Sequence, residues 1–339
     1  MTAAASDRAD DDIRQIIVDT DTGIDDAMAL LYLHGHERAE VVAITSVYGN
    51  TDVESALINI GRVLRIAGRK DVLVARGAQN PIEGTAHIAA HVHGRDGLGD
   101  LTPGRFPPAD ATNLSPLPAA ELIVELARSR PGHYDLLALA PLTNIGLALE
   151  LEPDLFALLR SVVVMAGSGA FPALGEYQMV DPNVQNDPIA AERVFTAPRN
   201  ELIAVGVDVT GSAVIDEKAV ERLRASGSAA GEFSAEILES YMDFYRYAWG
   251  RRVSPAHDGL AAAILLQPAL VTEWRTGPIR VLSDGFAIRG RLMQTADRHA
   301  PAWEFDAAPD SRVASAIDYP AFLEEFLGVL TGFSSSARR

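Results

Sequence analysis

Residues Ile16–Leu31 read IIVDTDTGIDDAMALL. Ile16, Ile17 and Val18 are β-branched and apolar without alternation, the mark of a parallel strand buried on both faces. Gly23 is expected to form a tight turn, and Ala27, Met28, Leu30 and Leu31 open an apolar helix. Asp19, Asp21, Asp25 and Asp26 therefore fall at the carboxyl end of a first strand and the amino end of the following helix, the edge where open α/β sheets bind ligands. Four carboxylates in eight residues repel one another unless a positive group sits among them, and a hard, oxygen-ligated divalent cation answers that need. The plainer alternative is that Asp25 and Asp26 only cap the helix and offset its dipole.

Outward from that stretch, the chain alternates strands and helices. Val41–Ile44 is a second buried strand ending near Asn50, and a helix is expected over 53–67. Further strands are expected at 72–75, 134–139, 161–165 and 201–207, with helices at 119–130 and 234–249. Residues 226–231 read as small and flexible. Short strands at 279–282 and 286–289 precede a closing helix. This order implies right-handed βαβ units: an α/β fold, a single domain over 13–332 around a largely parallel open sheet, with tails at 1–12 and 333–339.

Composition removes several chemistries. The chain has 339 residues, 48% hydrophobic and 22% charged, enough for a large core. Lys+Arg 29 against Asp+Glu 46 gives −17, which disfavours nucleic acid or an anionic membrane as partner. Only Lys70 and Lys218 are lysines, so a Schiff base or phosphate-loop lysine has little support. The absence of cysteine excludes thiol catalysis and thiolate metal sites. No signal-peptide core or membrane-length apolar run is present, so a cytoplasmic protein is expected.

Other polar groups stand at strand ends. The long segment 77–118 contains His91 and His93 with Asp96 and Asp100, which could bind zinc or could simply pack beside the site. Thr143 can cap a helix or offer an oxygen to a metal. A loop at 166–187 holds Glu176, Asp181, Asn183 and Asp187. Tyr241, Phe244, Tyr245, Tyr247 and Trp249 exceed what one buried helix face holds, so some are expected to face a cleft where a planar base could stack. His257-Asp258 stands at the start of an apolar helix and pairs a candidate acid with a candidate ligand.

DTDTGIDDAMAL resembles the N-terminal signature of the inosine–uridine-type nucleoside hydrolases. SVYGN (46–50), HGRDGLGD (93–100), APLTNIGLAL (140–149), VVVMAGS (162–168), NDPIAAERVF (186–195) and PAHDGLAAA (255–263) follow in that family's order, so the resemblance spans about Ile16–Leu330. It implies Ca²⁺-dependent hydrolysis of a ribonucleoside's N-glycosidic bond by a homodimer or homotetramer. It implies Asp21, Asp26, Asp258 and the Thr143 main-chain carbonyl as calcium ligands, with Asp21 also the general base. Asp25, Asn50, Asn183 and Asp258 would hold the ribose 2′- and 3′-hydroxyls, Met165 would line the sugar pocket, and His257 would help protonate the leaving base. Tyr245 and Trp249 are offered as base-side contacts.

The chain departs from the family at the ribose 5′-hydroxyl. Asp181-Pro182-Asn183 replaces Glu-Phe-Asn, and Leu174-Gly175 stands where Gly-Asn is common, leaving Asp181 or Glu176 as substitutes. A roomier or differently polar 5′ pocket is expected, accepting a 5′-modified riboside or a ribose-like compound other than a common nucleoside. Kinetics on uridine, inosine and their 5′-deoxy or 5′-substituted analogues check this, and a clear preference for the unmodified 5′-hydroxyl contradicts it.

Two other readings compete. IIVDTDTG also resembles the nucleophile loop of haloacid-dehalogenase-type phosphatases, but those expect Thr or Val at Gly23 and a lysine late in the domain. A calcium-dependent nucleoside or ribose binder without turnover is the third, opposed by retention of Asp21.

Overall fold

The structure, a computed structural model, describes residues 13–102, 104–109, 112–169, 181–281, 287–289 and 308–333. The first half runs β1 (Arg14–Thr20), α1 (Ile24–Gly35), β2 (Ala39–Ser46), α2 (Val53–Ala67), β3 (Leu73–Ala75), the short α3 (Ala90–His93), β4 (Asn113–Leu114), α4 (Ala119–Ser129), β5 (Tyr134–Ala138), α5 (Thr143–Leu151), α6 (Leu155–Leu158) and β6 (Ser161–Met165). The second half runs α7 (Pro182–Asn186), α8 (Pro188–Thr196), β7 (Leu202–Val205), α9 (Val207–Thr210), β8 (Val214–Ile215), α10 (Glu217–Ala225), α11 (Ala229–Trp249), β9 (Ser254–Pro255), α12 (His257–Leu266), β10 (Val271–Val281), β11 (Ala287–Arg289), β12 (Asp310–Ile317) and α13 (Tyr319–Thr331).

Ten of these strands make one sheet, in the order β11-β10-β12-β7-β6-β5-β1-β2-β3-β4. Pairing is parallel from β4 across to β12, and antiparallel only where β10 meets β12 and β11. β1 sits between β2 and β5, so its carboxyl end opens near the middle of the sheet edge.

Successive strand residues face opposite layers. Ile16 and Val18 join the cluster under α1, α2, α11, α12 and α13, whereas Ile17 joins the cluster under α4, α5 and α8. Both faces are covered, which is why the strands read as unbroken apolar runs. α1 and α12 are buried almost all round and pack together in the first layer. They carry the site's acidic residues on their first turns.

Local chemistry sets the boundaries. Asp52 accepts a hydrogen bond from the Ser55 N–H to start α2, and Gly68 ends it in the left-handed region at φ 67°. Four expectations are corrected. The strand expected over 201–207 stops at Val205, and Val207–Thr210 forms a helical turn. Residues 226–231 are not a loose link: Ser228 accepts from the Gly231 N–H and caps α11, which begins at Ala229. β10 begins at Val271, well before the expected 279. The left-handed residue of the first turn is Thr22, at φ 38°, whereas Gly23 has φ −78°.

Among the described residues no helix is long and apolar enough to cross a membrane.

Candidate active site

Asp21 follows directly on β1, Asp25 and Asp26 lie on the first turn of α1, and Asp258 lies on the first turn of α12. Both helices aim their amino ends at the same point, and a helix amino end favours negative charge. One carboxylate oxygen each from Asp25, Asp26 and Asp258 lies within 4.8 Å of the other two. Among the described residues this is the one His/Cys/Asp/Glu group with metal-holding spacing.

Asn50 ties Asp21 to that group. Its backbone N–H donates to Asp21 Oδ2 (2.6 Å), and its Nδ2 donates to Asp21 Oδ1 (3.1 Å) and Asp26 Oδ2 (2.8 Å). Asp26 also accepts from the Thr20 hydroxyl (2.6 Å) and the Gly23 N–H (2.9 Å). Two glycines make the closeness possible. A Cβ on Gly23 would stand 2.5 Å from Asn50 Nδ2, and one on Gly49 would stand 2.0 Å from Asp21 Oδ2. Gly23 is therefore required by contact with its neighbours, not by backbone conformation.

All four carboxylates are buried. Burial pushes the Asp21, Asp25 and Asp258 carboxyls well above the ordinary range. Next in weight, Asp26 pushes on Asp21 and Asp25, and Asp25 pushes on Asp258. Asp25 Oδ1 is buried and accepts no hydrogen bond from the described residues. Hard oxygen donors, mutual repulsion and an unpartnered buried oxygen together fit a divalent cation.

A second set of groups meets this one from α11 and α12. His257 Nδ1 lies 2.7 Å from the Thr210 hydroxyl, and its Nε2 lies 3.1 Å from the Tyr245 hydroxyl, itself 3.5 Å from the Tyr241 hydroxyl. Burial lowers the His257 pKa to about 4 and raises those of both tyrosines. The imidazole is thus neutral at pH 7, with one N–H to give. Trp249 stands edge-on to Tyr245 at 4.4 Å, and Tyr247 points to solvent at 92% exposure. The aromatic helix splits between its faces: Tyr241 and Tyr245 are buried toward His257, and Tyr247 is not.

The zinc alternative fails on geometry. His93 Nδ1 accepts from the Ile24 N–H (3.2 Å), and its buried ring packs 5.1 Å from Tyr241, whereas His91 is exposed against Phe244. Burial lowers the His93 pKa to about 3. Asp96 turns its carboxylate to the N–H groups of Leu98, Asp100 and Leu101. Among the described residues of 77–118, His93 is the histidine that packs beside the site, against Ile24 and Tyr241.

Asn183 Nδ2 donates to the carbonyls of Leu139 (2.9 Å) and Met165 (3.0 Å), next to the Met165 sulfur. Asp181 serves the backbone instead. Its carboxylate accepts from the N–H groups of Gly167 (2.7 Å), Asn183 (3.1 Å) and Val184 (3.0 Å). Burial pushes its pKa up to about 6. Oxygens turned to the main chain in this way are the reverse of a free 5′-hydroxyl contact. Leu174, Gly175 and Glu176 lie outside the described residues. Thr143 does not cap α5. Leu142 holds that position, and the Thr143 hydroxyl donates to Asp187 Oδ2 (2.7 Å).

The sequence alone assigned no role to Thr210, and offered His93 only as a zinc or packing residue and Tyr241 only as one of five aromatics. Tyr241 was legible, because 241, 245 and 249 repeat at i, i+4 and share one helix face. Thr210 carried no such signal; it reaches His257 only because α9 turns back at the end of β7.

The chain matches the family described as inosine-uridine preferring nucleoside hydrolase over residues 16–324. It is 32% identical over 318 residues to a probable uridine nucleosidase 2 of Arabidopsis thaliana, covering 92% of this chain and 96% of the relative. It is 33% identical over 284 residues to an inosine-uridine preferring nucleoside hydrolase of Leishmania major, covering 82% and 86%. A solved plant nucleoside hydrolase superposes with a TM-score of 0.84 at 28% identity, over 95% of this chain and all of that one. Lys218, the late lysine a phosphatase of the dehalogenase type would need, is exposed on α10. The chain belongs to the inosine-uridine preferring nucleoside hydrolase family, and it is an enzyme that hydrolyses the N-glycosidic bond of ribonucleosides.

Proposed function

We propose that the enzyme works with one Ca²⁺ held by Asp21, Asp26, Asp258 and the Thr143 main-chain carbonyl, on uridine- or inosine-type ribonucleosides, the substrates named for its relatives. The observation that carries this reading is the set of four buried carboxylates around an unpartnered oxygen, with the Asp21, Asp25 and Asp258 carboxyls pushed up by burial and then by their acidic neighbours. Bound there, calcium would orient and acidify a water and draw in the vicinal ribose hydroxyls.

The chain's own residues supply the rest. Asp21, oriented by two hydrogen bonds from Asn50, takes the attacking water's proton. Asp25, Asn50, Asn183 and Asp258 hold the 2′- and 3′-hydroxyls beside Met165. The carboxylates offset the positive charge that builds on the ribose ring as the bond breaks. The departing base needs a proton, and the Tyr241–Tyr245–His257–Thr210 chain holds one between the Tyr245 hydroxyl and His257 Nε2. Tyr245 and Trp249 flank the base. Glu176 is the proposed 5′ contact. We take the working form to be a cytoplasmic homodimer or homotetramer.

The test is a nucleoside panel scored by free ribose. Cleavage is expected to stop on chelation and to return with Ca²⁺. Saturable nucleoside binding without ribose release would support a binding protein instead.

A further inference from the structure

Two buried aspartates outside the proposed chemistry grip the start of α5 from opposite sides. Asp19 Oδ1 accepts from the Thr45 hydroxyl (2.5 Å) and from Asn144 Nδ2 (2.8 Å). The Asn144 amide is fully paired: it also donates to the Ser46 carbonyl (2.9 Å), and its Oδ1 accepts from the Ala78 N–H (2.8 Å). On the other side, Asp187 Oδ2 accepts from the Thr143 hydroxyl (2.7 Å) and the Ile82 N–H (2.9 Å), while Oδ1 accepts from the Ala190 N–H (3.0 Å) to cap α8. The Tyr48 hydroxyl donates to the Asn186 carbonyl (3.2 Å) and closes over Thr143. Asp19, Thr143, Asn144 and Asp187 are all buried. The fit is tight: a Cβ on Gly77 would stand 2.0 Å from the Ser46 carbonyl and 2.4 Å from Asn144 Nδ2.

None of these bonds goes to the backbone of α5, so they do not serve as its cap. They run from α5 to β1, to β2, to the 77–82 segment and to the α7–α8 junction. Asp19 lies two residues before Asp21 on the same chain, and Asn144 directly follows Thr143. The Asp19–Asn144 bond therefore ties the segment bearing the carboxylate ligand to the segment bearing the carbonyl ligand.

We propose that Asp19–Asn144 and Asp187–Thr143 form a two-sided clamp that positions the Thr143 main chain against Asp21 and so sets the affinity for the cation. Asp19, Asn144 and Asp187 are positioning residues. The inference rests on the reading that the Thr143 carbonyl joins the aspartates around Ca²⁺. Partners of this kind, one step out from the ligands, govern how well ligands are presented to a metal.

The experiment is isothermal titration of the full-length, chelator-treated protein with CaCl₂. It compares wild type, Asn144→Ala, Thr143→Val (which removes only the hydroxyl grip) and Leu155→Ala. Leu155 is fully buried on α6, in the layer under α4, α5 and α8 and not in the one that holds α1 and α12, and serves as a destabilised control. The expected result is a calcium Kd weakened about 10- to 100-fold in Asn144→Ala, by a smaller factor in Thr143→Val, and unchanged in Leu155→Ala. With calcium saturating, kcat in Asn144→Ala is expected to return toward wild type. A wild-type Kd in folded Asn144→Ala and Thr143→Val, or an equal loss in Leu155→Ala, overturns the clamp. Absence of calcium binding by the wild type overturns the cation reading beneath it, so the two failures are distinguishable.

Discussion

Asp21→Asn is expected to lower kcat by about 10²- to 10⁴-fold, the range in which a positioned general base contributes. Asn50 gives Asp21 two donors, one to each oxygen. An asparagine at 21 keeps one oxygen but turns an NH₂ toward the other donor, so one of the two bonds is lost and the remaining group cannot accept a proton. Side-chain volume is unchanged, and one buried negative charge disappears from a repelling set, so the fold is expected to survive. A neutral amide oxygen still suits calcium, so cation binding weakens without vanishing. Ribose release at saturating calcium, measured beside a thermal melt, separates lost chemistry from lost fold. More than a tenth of wild-type kcat in the variant would remove Asp21 from the role of base.

Asp258→Asn is expected to change stability in opposite directions with and without calcium. Asp258 is buried on the first turn of α12, where Asp25, Asp26 and Asp21 all push on it. In chelator, converting it to an amide relieves that repulsion and removes a buried charge, so the unfolding temperature rises by a few degrees, a change on the order of 1 kcal/mol. In calcium, the wild type gains about 2.7 kcal/mol when free calcium exceeds Kd 100-fold, and the variant loses most of that gain. The ranking of the two proteins therefore reverses between the conditions, and turnover falls with the cation. Differential scanning calorimetry in chelator and in CaCl₂ checks it. A variant less stable than wild type in both would show that Asp258 is held by contacts other than those the repulsion acts against.

Much of this was legible in the chain because burial on both sheet faces forces unbroken apolar runs, as at Ile16–Val18, Val41–Ile44 and Val162–Val164. Such runs fix where strands end, and therefore which polar residues reach the edge. The acidic loop and Asn50 follow from that, whereas His257-Asp258 is marked by the apolar helix it opens and Asn183 by the family motif alone. β12 was not legible. Its sequence, DSRVASAI, lacks an apolar run, and its place between β7 and β10 comes from pairing with residues far away in sequence. Residue type also failed to tell one aspartate from another. Asp21 is held by an asparagine beside other carboxylates, while Asp181 caps a helix. Asp19 has no visible partner in the sequence, and only the fold sets Asn144 against it. Partners of that kind are fixed by how loops return to the sheet, which local pattern does not encode.

The central claim is that the acidic pocket breaks a ribonucleoside with water and calcium. The most direct measurement is chromatographic quantitation of uracil and ribose from uridine in phosphate-free buffer, before chelation, after it, and after calcium is restored. Equimolar uracil and ribose are expected, with loss of both on chelation and recovery with Ca²⁺. Intact uridine bound but not cleaved, or equal cleavage in the presence of chelator, would contradict it.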